Sequence, residues 1–384
     1  MKNILRNLIE KQSDQRIDYE QYMHTVLYHP EEGYYQKPSV KIGKTGDFYT
    51  SPSVHPVFGR TLARFFMKLI KAENLPSVIC EVGAGDGQLA KAVLEEWKKY
   101  APDSYSDLTY IAVEESAYHR KEQEKHLSSE RSFVQYESLD QLQAEMPVFS
   151  GILFFNELLD AMPVRVVQEK KDQLCEVKIT LDEVGELTEV LEPCQDSRIL
   201  NWMDTYGFPL QPGQRVEIPL AMTRWLEKTT EWLERGVMIT IDYGYTEKEW
   251  VHPGRREGSL RGYLRHQLMK NPLDYPGEMD LTSHIHVDAV RKIAEAKGME
   301  PLFIMTQREF LLKTGILDFL RPLSDSSDPF SGDDRQNRAI RSLVADTSLG
   351  HAFYVMAQGR GLEGKYIHEW LAHDPIQEAI KKRR

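Results

Sequence analysis

An α/β fold with a mostly parallel sheet is the class this sequence predicts, on three observations. From residue 77 onward, short apolar runs alternate with helical stretches, the pattern of strand–helix–strand units. A glycine-rich turn, Glu81-Val-Gly83-Ala-Gly85-Asp-Gly87, sits where the first of those runs passes into a helix. The chain has 384 residues, 41% hydrophobic and 28% charged, the composition of a globular protein of one or two domains. That excludes a disordered tail, a collagen-like fibre and a disulfide miniprotein.

Asp18, followed three positions on by Gln21, predicts a capping box and a helix running to about Tyr28, which Pro30 and Gly33 end. The segment KIGKTGDFYTSPSVHP (41–56) has prolines, glycines and hydroxyls without helical or strand period, and reads as an ordered loop long enough for a lid. Val57, Thr61, Arg64, Phe65, Lys68 and Leu69 then recur near a 3.6 period, predicting a second helix. SVICE (77–81), LTYIAVE (108–114), FVQY (133–136) and GILFF (151–155) are the first four strands, with helices at Leu89–Lys99 and Ala117–Leu127. Regularity breaks between Val164 and Arg235, where RVVQE and LCEVKIT suggest antiparallel strands of an insertion. VMITID (237–242) returns as a buried strand, and PLFIMT (301–306) and HAFYVMAQ (351–358) are two more. The expected organisation is an N-terminal helical lid region (1–76), a first core segment (77–164), an inserted α/β subdomain (165–235), a second core segment (236–360) and a tail (361–384).

Lys and Arg number 48 against 59 Asp and Glu, a net charge of −11, which disfavours counterion-release binding to nucleic acid and favours a basic partner. The basic tail KKRR (381–384) reads as a solvated terminus. Cys80, Cys175 and Cys194 fall in no zinc or disulfide spacing. No apolar run approaches the roughly 18 residues a membrane span needs, and Met1–Glu10 lacks the features of a secretory signal. These readings give the expectation of a cytoplasmic protein, without metal or membrane.

The glycine turn is spaced GxGxG, and Gln88 stands where a dinucleotide-binding turn would place its third glycine. Glu81 at the end of the strand would repel a pyrophosphate and attract an ammonium, so the turn favours a cationic, amino-acid-like cofactor. Glu114 ends the next strand, where a carboxylate can accept from both hydroxyls of a ribose; it also reads as a solvated helix-start residue. Ser138 and Leu139 after the third strand suit an adenine, or a plain surface loop. Asn156, Glu157 and Asp160 follow the fourth strand. They would face a ligand at the carboxyl ends of the strands, unless Asn156 simply caps a helix whose first turn carries the two acids.

Taken together these features resemble class I S-adenosylmethionine-dependent methyltransferases. HPEEGYY (29–35), IGKTGDFYTSP (42–52), NELLDAMPV (156–164), IDYGY (241–245), SLRGYLRH (259–266), DLTSHIHVD (280–288) and TQREFL (306–311) narrow the resemblance to the MidA-type family, over residues 18 to 360. Its mitochondrial members are complex I assembly factors that methylate a protein arginine. The resemblance implies a Rossmann-like sheet with an antiparallel C-terminal strand, S-adenosyl-L-methionine as cofactor, and a loop in which Gly46, Asp47 and Phe48 close over the methionine end. Gly262, Ser283 and His286 depart from the family pattern, which bears on the substrate. For an arginine acceptor, carboxylates would pair with the guanidinium, and Glu157, Asp160 and Asp242 are the candidates. His266, His284 and His286 show no metal spacing and read as loop histidines, and Tyr243, Tyr245 and Tyr263 line a channel or pack. The expected function is methyl transfer to a protein side chain such as arginine, with a homodimer compatible. The rivals are a scaffold holding the cofactor structurally and a nicotinamide-dependent oxidoreductase.

Overall fold

Strands β1 (Val78–Val82), β2 (Thr109–Val113), β3 (Phe133–Tyr136), β4 (Phe149–Asn156), β5 (Leu233–Tyr245), β6 (Glu300–Thr306) and β7 (Phe353–Arg360) lie side by side in the computed structural model, in the order β6-β7-β5-β4-β1-β2-β3. The structure describes residues 1–37, 55–322, 332–345 and 352–373. β1 runs parallel to both β2 and β4, β2 to β3, and β4 to β5, whereas β6 and β7 are antiparallel. The chain builds outward from β1 through β2 to β3, then returns to place β4 on the other side of β1. That reversal makes the carboxyl ends of β1 and β4 a topological switch point, where open α/β sheets hold ligands.

Burial explains why these strands read as unbroken apolar runs: Ile79, Cys80, Leu153, Phe154, Met238 and Ile239 are all sealed from solvent. Helix α1 (Val57–Ala72) brings Phe66 to 5.2 Å from Phe154, ring centre to ring centre. A side chain at Gly59 would meet Ala92 Cβ at 2.8 Å, so this glycine permits the close crossing of α1 with α2 (Gln88–Tyr100). α3 (Ala117–Leu127) and α4 (Leu139–Glu145) follow β2 and β3. β5 is longer than the sequence predicted. Its last residues, Gly244 and Tyr245, pair with Ile285 and His286, so Asp242 lies within the strand and not at its end.

The described residues divide into two units. The parallel sheet lies in one, drawn from Tyr49–Glu157, Thr230–Asp242 and Gly298–Arg384; the other draws on Met1–Phe48, Leu158–Thr229 and Tyr243–Lys297. In the second unit an antiparallel sheet takes the order Ile17–Asp18, Gln173–Leu181, Arg165–Lys170, Arg215–Ile218, with Leu187–Pro193 pairing Gln173–Leu181. The capping box forms as predicted: Asp18 accepts from the Gln21 backbone N–H at 2.8 Å, and Gln21 accepts in return, opening Tyr19–Tyr28. This helix and Lys2–Glu10 bury Leu5, Ile9, Tyr22 and Met23 in the same cluster as Val166, Val177 and Ile179. Ile17 and Asp18 pair with Ile179 and Lys178, so the N-terminal segment shares a core and a sheet with residues 165–218, a partition other than the boundaries drawn from the sequence. Gly262, one of the departures from the family pattern, packs against the Met279 side chain, which a Cβ there would have to displace.

Candidate active site

Gly83, Gly85 and Gly87 all take left-handed backbone angles, φ +76°, +54° and +82°, which an L side chain rarely adopts. These angles fold the turn back on itself. Gly83 and Ala84 donate to Val113 O at 2.9 and 3.2 Å, Gly87 donates to Ala84 O at 3.2 Å, and Gly85 donates to Glu114 Oε2 at 2.8 Å. Because those four N–H groups already have partners within the protein, the turn does not present them to a phosphate. It offers side-chain-free backbone ringed by carboxylates.

Glu81 is buried on β1 and accepts from the Tyr110 hydroxyl at 2.6 Å. Burial pushes its carboxyl up to about 8; the Tyr110 hydrogen bond works against this, while Glu114 and Asp86 add to it. Burial thus favours the protonated form, and a cation beside the group would favour the charged one. Glu114 accepts from Gly85 N–H through one oxygen and from Ser116 N–H, at 2.8 Å, through the other, with His119 Nδ1 3.8 Å away. Each carboxylate oxygen keeps a further lone pair. Ser138 caps α4, accepting from Gln141 N–H at 3.1 Å, and Leu139 beside it is buried.

At the end of β4, Asn156 Nδ2 donates to Glu157 Oε1 at 3.0 Å, and Asn156 Oδ1 is buried with no hydrogen-bond partner. Glu157 has φ +52°, a strained value for a non-glycine residue, held by its N–H donating to Ile241 O at 2.8 Å. No helix follows; residues 157–163 are turn and irregular structure, which removes the helix-cap reading of Asn156. Ile241 pairs with Asn156, so Asp242, fully buried, is one residue past that register. An orphaned acceptor at Asn156, a buried acid at Glu81, an acid clamped at Glu114 and a turn that has used four of its own donors fit a ligand rich in cationic and hydroxyl donors. S-adenosylmethionine, with its ammonium, sulfonium and ribose hydroxyls, is such a ligand.

Asp160 belongs to the other unit. The Tyr243 hydroxyl donates to its Oδ2, and its backbone oxygen accepts from Ser283 N–H at 2.9 Å. Burial raises its carboxyl to about 6, and the Tyr243 hydrogen bond restrains that rise. His284 stacks on Tyr245 at 4.2 Å, and burial, reinforced by Arg261 and Arg255, lowers it to about 3. His286 stacks on Trp250 at 4.6 Å, donates from Nε2 to Glu217 O at 2.7 Å, and is lowered by burial to about 4. Both rings are therefore neutral packing elements. His266 is exposed in the tight turn between Arg261–Leu264 and Gln267–Met269, and Tyr263 is half-buried in the first of these strands.

Thus Glu81, the three glycines, Glu114, Ser138, Leu139, Asn156, Glu157 and Asp242 share one unit, with Asp160 in the other. Gly46, Asp47, Phe48 and the KKRR tail lie outside the described residues. Sequence reasoning passed over Tyr110 and Gln123. Tyr110 follows from strand alternation, since it occupies the register opposite Ile79 one turn of the pleat from Glu81. Among the described residues no cluster of His, Cys, Asp and Glu could hold a metal, and no helix is long and apolar enough to cross a membrane.

Comparison with known proteins agrees with this chemistry. Residues 59–305 match the family model described as "Putative S-adenosyl-L-methionine-dependent methyltransferase". A crystal structure from Burkholderia thailandensis bound to S-adenosyl-homocysteine superposes with a TM-score of 0.83 at 28% identity, covering 94% of this chain and 93% of that one. The "Protein arginine methyltransferase NDUFAF7, mitochondrial" of Xenopus tropicalis is 26% identical over 377 residues, 91% of this chain and 84% of its own. The Drosophila melanogaster homologue, also named mitochondrial, is 28% identical over 302 residues, 72% of this chain and 66% of its own. These relatives overturn the expectation of a cytoplasmic protein. That expectation rested on missing secretory and membrane signals, and their absence carries no information about which compartment a protein occupies.

Proposed function

The chain belongs to the family of S-adenosylmethionine-dependent methyltransferases whose model it matches, and from that premise we propose that it methylates a protein side chain, the guanidinium of arginine. The observation that carries the acceptor is the name shared by relatives aligned along most of the chain, protein arginine methyltransferase. The chemistry of the carboxylates supports it.

S-adenosylmethionine brings an already activated methyl group, so the protein's task is alignment and charge placement more than proton transfer. In this reading Glu81 and the glycine turn receive the methionine end, with the ammonium drawing the Glu81 carboxyl into its charged form. Glu114 accepts from the ribose hydroxyls, Leu139 packs the adenine beside the Ser138 cap, and Asn156 Oδ1 accepts a ligand donor. Asp160, oriented by Tyr243, pairs with the guanidinium. Glu157 and Asp242 are the further acidic candidates, and Gly46, Asp47 and Phe48 remain the proposed closing loop. A net charge of −11 favours an acceptor protein carrying basic residues around its target.

The test is to incubate the full chain with methyl-labelled S-adenosylmethionine and an arginine-rich protein extract, then identify the labelled residue by mass spectrometry. Methylarginine that disappears with Asp160→Asn supports the assignment. Label on lysine, on a carboxylate or on a small molecule refutes it.

A further inference from the structure

Helix α3 reads AYHRKEQEKHL, almost wholly polar, and buries only His119, Gln123 and Leu127. A fully buried amide on so polar a helix has a specific use here. Gln123 Nε2 donates to Gly85 O at 2.7 Å, and Gln123 Oε1 accepts from Gln135 Nε2 on β3, also at 2.7 Å. Gln135 in turn donates to Arg120 O at 3.1 Å. The amide is packed tightly against the turn: a Cβ at Gly87 would lie 2.9 Å from Gln123 Cγ.

Gly85 is thus gripped on both sides, its N–H by Glu114 Oε2 and its carbonyl by Gln123 Nε2. We propose that Gln123 is a positioning residue for cofactor binding, a buried amide that fixes the Gly85 peptide and, through the Gly85 N–H, the Glu114 carboxylate. The proposal rests on the reading that Glu114 holds the ribose. The direction of the amide matters: the nitrogen must face Gly85 O and the oxygen must face Gln135, because reversing it would set two acceptors against each other. A neutral carboxyl reproduces both contacts, its O–H donating to Gly85 O and its carbonyl accepting from Gln135. An ionised one cannot donate, and it adds a negative charge beside Glu114.

That difference gives a readout that general loss of packing would not produce. The full chain is titrated calorimetrically with S-adenosylhomocysteine between pH 5.5 and 8.5, as wild type, Gln123→Met, Gln123→Glu and Glu114→Gln, with the fold of each checked by circular dichroism. Relative to wild type at each pH, Gln123→Met should bind tenfold or more weakly throughout. Gln123→Glu should bind as weakly at pH 8.5 and recover most of the loss by pH 5.5. Hydrogen exchange at the Gly85 amide, measured without ligand, should accelerate in Gln123→Met. Should Gln123→Met fail to fold, Gln123→Glu at pH 5.5 against pH 8.5 carries the comparison. Weakening by Glu114→Gln with wild-type affinity in both Gln123 variants overturns the proposal, as does a pH-independent loss in Gln123→Glu. Wild-type affinity in Glu114→Gln refutes the ribose reading itself.

Discussion

Replacing Glu81 by Gln should make this protein more stable and less able to bind its cofactor. The wild-type carboxyl sits at about 8 in the folded chain against an ordinary 4.5, because burial penalises its charge. The folded state therefore holds a proton that the unfolded chain has released. Stability from this group is fully present below pH 4.5 and is lost as pH rises through 8. A separation of about 3.5 pH units at 1.36 kcal/mol each limits the loss to about 5 kcal/mol, of which about 3 kcal/mol has gone by pH 7. Glutamine keeps the shape and can still accept from Tyr110, so the variant escapes the loss. Chemical denaturation of the ligand-free protein should show a stability gap between variant and wild type near zero at pH 4.5, widening up to pH 8. Calorimetry should show the opposite for binding. In the wild type, an ammonium beside Glu81 drives release of its proton, so affinity should climb with pH below 8 and fall once the ligand's amino group loses its own charge. In Glu81→Gln that climb should vanish. A variant no more stable than wild type at pH 8, or one whose affinity follows the wild-type pH profile, would refute the assignment of Glu81 as a buried acid awaiting a cation.

Glu114→Gln leaves one of the Gly85 and Ser116 N–H groups without its acceptor, and S-adenosylhomocysteine affinity should fall by about 1–3 kcal/mol, read by calorimetry. His286 titrates in the other direction from Glu81: burial holds it at about 4 against 6.5, so its contribution to stability is present above pH 6.5 and is lost as pH falls towards 4, by about 3 kcal/mol. His286→Phe keeps the stack on Trp250 and loses the bond to Glu217 O, worth about 1 kcal/mol, so it should be weaker than wild type at pH 7 and stronger at pH 4 in denaturant titrations. Tyr243→Phe removes the donor that restrains Asp160, whose carboxyl should then rise above about 6 and carry the acidic limb of the methyl-transfer pH profile to higher pH. An unmoved limb would show that Asp160 does not control the reaction.

Strand positions were legible because a sheet buried on both faces writes itself as apolar runs: β1, β2, β3 and β4 all fall within two residues of their predicted limits. β5 was read too short at both ends. Its extension at 244–245 depends on pairing with Ile285 and His286, some forty residues away, which no local pattern encodes. The N-terminal region misled for a similar reason. Its capping box and the helix that box opens are local and were predicted, but the helix Lys2–Glu10 was not, and the two-residue strand Ile17–Asp18 exists only through Lys178 and Ile179. In the candidate site, Glu81, Glu114 and the glycines were visible as residue types at strand ends. The partner that fixes each was not: Tyr110 for Glu81, Gln123 for Gly85 and Tyr243 for Asp160 are tertiary neighbours, and a glutamine in a helix as polar as α3 reads as surface until its burial is known.

The same geometry explains why a turn that looks like a phosphate cradle would be a poor one here. Anion-binding turns leave several N–H groups pointing at the ligand, and their helix dipole adds attraction for negative charge. In this protein Val113 O takes two of those groups, Glu114 takes a third and Ala84 O a fourth, while Glu81 places a further acid beneath the turn. A pyrophosphate would meet carboxylates with few free donors to offset them. A ligand whose phosphates are replaced by a sulfonium and an ammonium would meet the same groups as partners at the proposed site. On the proposed site, discrimination between nicotinamide and sulfonium cofactors would therefore lie in where the turn's own hydrogen bonds go, more than in the spacing of its glycines.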